Sequence, residues 1–154
     1  MIFGVDVAGI LLGGVAAGMV LFIVSVGLSV TMGLMGFANM AHGSFAMLGG
    51  YVIVLSMSWY DVPFALALIL GFVVIALISI PFERLLYRRL YQAEELDQVL
   101  FTIGLVFAIG AFVTLVIGPE TQTLILPKAL QGQINLGFIE YRTYSIFIIA
   151  FGAL

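Results

Sequence analysis

The stretch TMGLMGFANMAHGSF, Thr31–Phe45, decides how the longest uncharged part of the chain folds. No Asp, Glu, Lys or Arg lies between Asp6 and Asp61. A single helix over that distance would be about 80 Å long, whereas the apolar core of a bilayer is about 30 Å thick. Glycine and polar side chains loosen a helix within the stretch. The sequence therefore predicts either two spans that meet here or a discontinuous or re-entrant helix, which must be buried in protein or line a cavity.

The composition of the chain indicates that lipid is its main solvent. Of its 154 residues, 64% are hydrophobic and 8% are charged, with a mean hydropathy of +1.29. Soluble domains average about 25% charged residues, so this chain is neither a soluble domain nor a disordered one. The formal net charge of −3 argues against nucleic-acid binding, and the absence of cysteine excludes disulfides and thiol nucleophiles within the chain.

Charge-free gaps predict an all-α fold, a polytopic membrane helix bundle with about four complete spans and the start of a fifth. A discontinuous helix near residues 31–45 is the alternative to a turn there. Asp61 is expected to cap the third span, with Pro63 in its first turn. A loop at 83–97 follows the third span, and a loop at 120–142 follows the fourth. The predicted spans cover residues 7–29, 37–59, 62–82, 98–119 and 143–154, the last of which is truncated.

The 83–97 loop sets the predicted orientation. Three of the five Lys and Arg residues lie in it, namely Arg84, Arg88 and Arg89. Because Lys and Arg near span ends favour the cytoplasmic side, this loop is predicted to be cytoplasmic and the 120–142 loop external. Two spans before the third would put the N-terminus outside, whereas a re-entrant second segment would put it inside. Together with Glu83, the arginines either anchor the topology at lipid phosphates or contact a cytoplasmic partner.

The candidate functional residues Asn39, His42, Gly43 and Ser44 lie in the stretch quoted above. On a helix that begins at residue 37, Asn39 and His42 share a face, and Ser44 lies off it. An amide and an imidazole beside a glycine-softened helix end suit a substrate or ion path. The alternative is that they hydrogen-bond to a neighbouring helix. His42 is the only histidine, so no histidine metal cluster forms within the chain, and no cofactor fingerprint is visible.

Two small-residue pairs in the first span match the GxxxG pattern, which marks close helix packing. This packing occurs either within the chain or between chains. The residues are Gly9, Gly13, Gly14 and Gly18.

Four blocks of the sequence resemble the permease subunits of branched-chain amino acid ABC importers (hydrophobic amino acid uptake). PFERLLYRRL, Pro81–Leu90, resembles the family's E-R-x-x-Y-R-x-L, with Arg89 where proline is common. TIGL at Thr102–Leu105 and GPE at Gly118–Glu120 follow in order. The remaining block, Gly27–Tyr51, departs at Gly50, where alanine is usual, and matches at Gly27, Leu28, Gly33, Asn39, Ala41, His42, Gly43, Leu48, Gly49 and Tyr51.

The resemblance implies a function that composition does not reveal. Such permeases lie in the prokaryotic plasma (inner) membrane and import Leu, Ile or Val, or in sister systems urea or short amides. They work with a second permease subunit, two cytoplasmic ATPase subunits and a periplasmic or extracellular substrate-binding protein. The chain itself would not be an enzyme, because ATP hydrolysis would occur on the partners, and the P-loop pattern is absent here. Asn39, His42, Gly43 and Ser44 would shape the substrate path.

The resemblance also implies that residues 1–154 are the N-terminal part of one transmembrane permease domain, because family members are longer. Two other functions remain open from the residues alone. The break in the first gap suits a re-entrant pore segment of a stand-alone channel or secondary transporter for a small solute. The glycine content and the GxxxG pairs suit a structural membrane subunit.

Overall fold

A computed structural model describes residues 2–120, 122–123, 127, 131–135 and 140–153. Within its helices and strands, the side chains of residues 2–6, 8, 35, 133–135, 140 and 141 are not described. Part of the predicted 120–142 loop, including Lys128, therefore lies outside the described residues.

The predicted all-α class is confirmed. Four of the described helices are long and apolar enough to cross a membrane. The membrane limits of each span stay a prediction. The helices are α1 (Ile2–Met35), α2 (His42–Tyr60), α3 (Phe64–Phe82), α4 (Arg88–Leu90), α5 (Glu95–Val116) and α6 (Thr143–Gly152).

The first helix is interrupted inside the stretch that the sequence singled out. α1 ends at Met35, Gly36 adopts φ +60°, and α2 begins only at His42. The expectation that the second helix begins at 37 is wrong by about one turn. Asn39 consequently precedes α2 and does not share a helical face with His42. α1 ends before Gly36 because the positive φ of this glycine leaves the helical region, and a side chain at this position would be strained.

The turn between α2 and α3 is short and local. Asp61 ends α2 in the left-handed conformation, with φ 50°, and its N–H donates to Ser56 O. Pro63 immediately precedes α3, where its missing N–H is not needed. The expectation that Asp61 caps the third helix is therefore wrong, because Asp61 terminates the preceding one.

The third helix does not stop where the loop was predicted. After Pro81 it continues as a π-helical turn, Glu83–Tyr87, and then as α4. The stretch Phe64–Leu90 is thus 27 residues of nearly continuous helix, about 40 Å long. Proline inside a helix removes one backbone hydrogen bond and favours such a register change. The first eight residues of the predicted 83–97 loop are helical.

α2 and α3 pack closely through small residues. A Cβ on Gly71 would lie 2.8 Å from Ile53 Cγ1 and 3.3 Å from Gly49 O, so only glycine fits there. Ala67, one turn earlier on α3, is fully buried. Small side chains allow this kind of backbone approach between membrane helices.

The chain divides into two compact units. One comprises residues 27–125, and the other comprises residues 1–26 and 126–154. The second contains a short antiparallel ribbon that was not expected, in which Gln133–Asn135 (β1) pairs with Glu140–Arg142 (β2). In both units many of the described large apolar side chains are exposed, as expected where lipid or other apolar helices cover them.

Candidate functional site

A cavity of about 670 Å³ lies in the 27–125 unit, beside the interruption between α1 and α2. Its volume is in the range of small-molecule sites, about 300–1,000 Å³. The apolar wall includes Phe45, Ala46, Ile53, Phe72, Ile75 and Ala76 from α2 and α3. The polar lining comes from Thr31, Asn39, His42, Ser79, Glu83, Tyr87 and Tyr91.

The 36–41 segment is held by side chains from α5. The N–H of Ala38 donates to Gln98 Oε1 at 3.1 Å, and the N–H of Met40 donates to Thr102 Oγ1 at 3.2 Å. Gln98 is 4% exposed and Thr102 is 0% exposed. Non-helical backbone in an apolar setting needs such partners, because an unpaired buried N–H is costly.

Gln98 also ties this segment to the turn before α5. Its amide nitrogen donates to Leu90 O at 3.1 Å and to Ala93 O at 3.3 Å. One side chain thus joins the helix break to the end of α4. Because all of these groups are buried or half-buried, the position of the break depends on the position of the turn.

Asn39 uses its carbonyl oxygen to stabilise its own turn. Oδ1 accepts the N–H of Ala41 at 3.0 Å and the hydroxyl of Tyr87 at 3.5 Å. The backbone N–H of Ala41 fixes which end of the amide carries the oxygen, since only the oxygen accepts. The amide N–H groups of Asn39 consequently have no partner among the described residues, and Asn39 lines the cavity.

His42 lies directly against Gly27 of α1. A Cβ on Gly27 would come within 2.7 Å of His42 Cε1 and closer still to Nε2. Glycine at position 27 therefore provides the space for the imidazole. His42 is half-buried and lines the cavity as the first residue of α2.

Aromatic side chains pack around the interruption between α1 and α2. Phe37, 2% exposed, lies between Tyr87 and Tyr91, with ring centroids 5.0 Å and 5.5 Å away. Phe45 of α2 meets Phe82 of α3 edge to face at 5.5 Å. Such aromatic pairs each contribute about 0.5–1.5 kcal/mol beyond their burial.

Glu83 is the acidic residue of the cavity lining. Its Oε1 accepts the hydroxyl of Tyr91 at 2.5 Å. Burial, and then the hydrogen bond to Glu83, raise the pKa of Tyr91 to about 12, so this hydroxyl remains a donor at neutral pH. No ion pair to Glu83 occurs among the described residues. Its neighbours Arg84, Arg88 and Arg89 are exposed.

The structure brings some of the predicted site residues together and leaves others apart. Asn39 and His42 both line the cavity, whereas Gly43 and Ser44 follow in the first turn of α2 and do not line it. Ser44 is buried, and Gly43 is exposed.

Three of the four predicted packing glycines make no close contact within the described part of the chain. A Cβ added to Gly9, Gly14 or Gly18 would meet nothing within 4 Å, and Gly13 is exposed. The close approaches of glycine that do occur involve Gly27, Gly71 and Gly152, the last against Met19. Packing of the predicted glycines against another chain stays a prediction.

Comparison with known proteins shows which family the chain belongs to. The family model described as "Branched-chain amino acid transport system / permease component" matches residues 10–151. The chain belongs to this family. Neither the curated proteins nor the solved structures contain a significant match to the permease.

Membership makes the permease a transport component and not an enzyme. With its four long apolar helices it is a multi-pass membrane protein. The match covers the whole 27–125 unit, including the cavity lining, and most of the other unit.

Sequence reasoning missed the residues of the permease that hold its helix break. The sequence predicts only that Gln98 lies at the edge of a span and that Thr102 belongs to a family-like block. A signal was present, since both are polar residues at the i and i+4 positions of one apolar helix, where they share a face. Their targets, Ala38 and Met40, are backbone groups and leave no mark in the sequence.

Proposed function

We propose that this permease forms part of the substrate translocation path of an ABC importer for branched-chain or related amino acids. It would lie in the plasma (inner) membrane of a prokaryote. Its partners would be a second permease subunit, two cytoplasmic ATPase subunits that hydrolyse ATP, and a periplasmic or extracellular substrate-binding protein.

The observation that carries the proposal is the family match over residues 10–151. The cavity supports it independently. Its apolar wall offers Ile53, Phe72 and Ile75 to an aliphatic side chain, and its polar lining offers Asn39 and His42. Ligand sites combine these two elements, with apolar area for affinity and a few polar groups for orientation.

The proposed mechanism is alternating access. Closure of the ATPase subunits would shift helix packing and open the path alternately to either side of the membrane. Non-helical segments near substrate are typical of transporters, because their free backbone groups and helix ends face the path. Asn39 and His42 would line this path, and Gly43 and Ser44 would shape the start of α2. The exposed arginines Arg84, Arg88 and Arg89 would lie on the cytoplasmic side.

The test is ATP-dependent uptake of radiolabelled leucine by the complete importer in proteoliposomes. Asn39→Leu and His42→Leu should each lower the uptake rate at least about tenfold, because each removes a polar group from the cavity; a hydrogen bond of this kind is worth about 1.5 kcal/mol. Met40→Leu is the matched control, since Met40 lies in the same segment but does not line the cavity. It should transport at the wild-type rate.

Two outcomes would contradict the proposal. Normal uptake by both variants in a normally assembled complex would remove Asn39 and His42 from the path. Leucine flux that persists when the ATPase subunits are inactivated would indicate a channel or secondary transporter.

A further inference from the structure

Glu83 has no cationic partner among the residues that the structure describes. Of the described residues that line the cavity, it is the one acidic residue, and none is Lys or Arg. Its hydrogen-bond partner among the described residues is the neutral hydroxyl of Tyr91. A half-buried carboxylate next to an apolar surface is stabilised by a cation, and ionisable residues in membrane helices mark functional sites with a partner to be found.

The surroundings of Glu83 favour an organic ammonium group over a metal ion. No group of three or more His, Cys, Asp or Glu side chains comes together in the described part of the chain, so a metal would lack ligands. Ile75, Ser79 and Glu83 follow one another at four-residue intervals and all line the cavity. One face of α3 and the π-helical turn therefore runs from an aliphatic residue to a carboxylate, which suits a cationic head on a branched aliphatic chain.

A second polar group of the cavity suits a carboxylate. The amide N–H groups of Asn39 have no protein partner among the described residues, because Oδ1 alone is used. Tyr87, which bonds to Asn39, lies four residues after Glu83 in the same π-helical turn. An acceptor for an ammonium group and a donor for a carboxylate thus occur at the same end of the cavity.

We infer that the polar end of this cavity is a binding site for a zwitterionic amino acid, with Glu83 binding the α-ammonium group and Asn39 the α-carboxylate. The aliphatic side chain would lie along the wall formed by Phe45, Ile75 and Ala76. This inference rests on the proposed function and specifies which group of the substrate each residue recognises.

The experiment is equilibrium binding of radiolabelled leucine to the complete permease–ATPase complex without the substrate-binding protein. Two competitors each lack one charged group, 3-methylbutylamine (no carboxylate) and 4-methylpentanoate (no ammonium). In the wild type, the amine should compete about tenfold better than the acid, because the carboxylate–ammonium interaction is charge-assisted. Glu83→Gln should weaken leucine binding about tenfold and abolish the preference for the amine.

Tyr91→Phe is the matched control. It removes the hydrogen bond to Glu83 and keeps the carboxylate, so the preference for the amine should persist. If Tyr91→Phe weakens leucine binding and the preference for the amine as much as Glu83→Gln does, Glu83 only positions Tyr91 and the inference is wrong. If Glu83→Gln fails to assemble, the wild-type competition still decides, and equal competition by amine and acid contradicts the inference.

The results separate this inference from the proposed function. Normal ATP-dependent leucine uptake with no preference for the amine would leave the importer role intact and overturn the ammonium site. A clear preference for the amine without ATP-dependent uptake would support the site and contradict the importer role. If Glu83→Gln loses the second permease subunit and the wild type shows no preference for the amine, a partner cation neutralises Glu83 and the inference is wrong.

Discussion

The interruption at residues 36–41 and the turn at residues 61–63 both separate apolar helices, but they are stabilised in different ways. The backbone of the first is bonded to Gln98 and Thr102, which lie 60 and 62 residues further along the chain. The backbone of the second is bonded to its own neighbourhood, since the N–H groups of Asp61 and Val62 both donate to Ser56 O. The first is buried at Phe37, Ala38 and Asn39, whereas Asp61 is exposed.

The interruption at residues 61–63 is therefore a local feature of the chain, whereas the interruption at residues 36–41 depends on the fold. A left-handed residue followed by proline ends one helix and starts the next without help from elsewhere. The 36–41 segment has a glycine to begin it, and it pairs the N–H groups of Asn39 and Ala41 internally. The N–H groups of Ala38 and Met40, however, are paired only when α5 is in place. We therefore expect mutations in α5 to affect the first interruption and leave the second unchanged.

The largest effect is expected for Gln98→Leu. The change would leave the buried N–H of Ala38 without its partner, and an orphaned buried group costs about 1–3 kcal/mol. It would also remove the amide that donates to the carbonyls of Leu90 and Ala93, of which Leu90 O still accepts the N–H of Ala93. The assembled complex should fall to a small fraction of the wild-type yield, measured by size-exclusion chromatography of the purified importer. Gln92→Leu is the control, because Gln92 is exposed in the neighbouring turn. Equal yields from the two variants would mean that Gln98 does not hold the break.

An intermediate effect is expected for Gly71→Ala, which acts on the α2–α3 pair that flanks the second turn. The new methyl group would lie 2.8 Å from Ile53 Cγ1, and overpacking of this kind costs about 1–3 kcal/mol. The melting temperature of the purified complex should fall. Gly104→Ala on α5 is the matched control, since a Cβ there meets nothing within 4 Å. Alanine is the better helix former, so an unchanged or higher melting temperature for Gly71→Ala would contradict the close packing.

The smallest effect on stability is expected at Asp61, because the effect of a substitution there depends on the local backbone conformation alone. Its φ of 50° suits glycine, so Asp61→Gly should stabilise the complex by less than about 1 kcal/mol. Asp61→Ala should destabilise it by a similar amount, because alanine tolerates the left-handed region less well than aspartate. The two melting temperatures should lie on opposite sides of the wild-type value. If both melting temperatures fall, the side chain of Asp61 contributes more to stability than its backbone conformation does.

From the sequence, the positions of both interruptions were predicted more accurately than their conformations. Gly36 and the charge-free length required a break near residues 31–45, and α1 ends there. The predicted start of α2 at residue 37 is too early, because no local signal shows that Gln98 and Thr102 bind the non-helical backbone before α2. The 83–97 loop was predicted from its charges, yet helix continues to Leu90, because charged side chains on a helix that emerges from a membrane remain solvated.

The candidate site was predicted in part. Asn39 and His42 were chosen as polar residues in an apolar run, and both line the cavity. Glu83 was assigned to a cytoplasmic loop, because nothing in its spacing indicates that the π-helical turn carries it to the cavity wall beside Tyr91. The glycine pairs of the first span are predicted from a pattern alone, whereas the close approaches in the described part of the chain are made by Gly27, Gly71 and Gly152.

Two features of this permease follow from its sequence alone, namely that it is an all-α membrane protein and that its first apolar run is broken. Hydropathy and charge spacing suffice for this, because the cost of placing charge or unpaired backbone in lipid acts on each segment separately. The tertiary structure alone decided which groups pair across the break and which residues share the cavity. Those pairings join positions about sixty residues apart, and a hydrogen bond from a backbone N–H to a distant side chain depends on the folded path of the chain rather than on any local pattern.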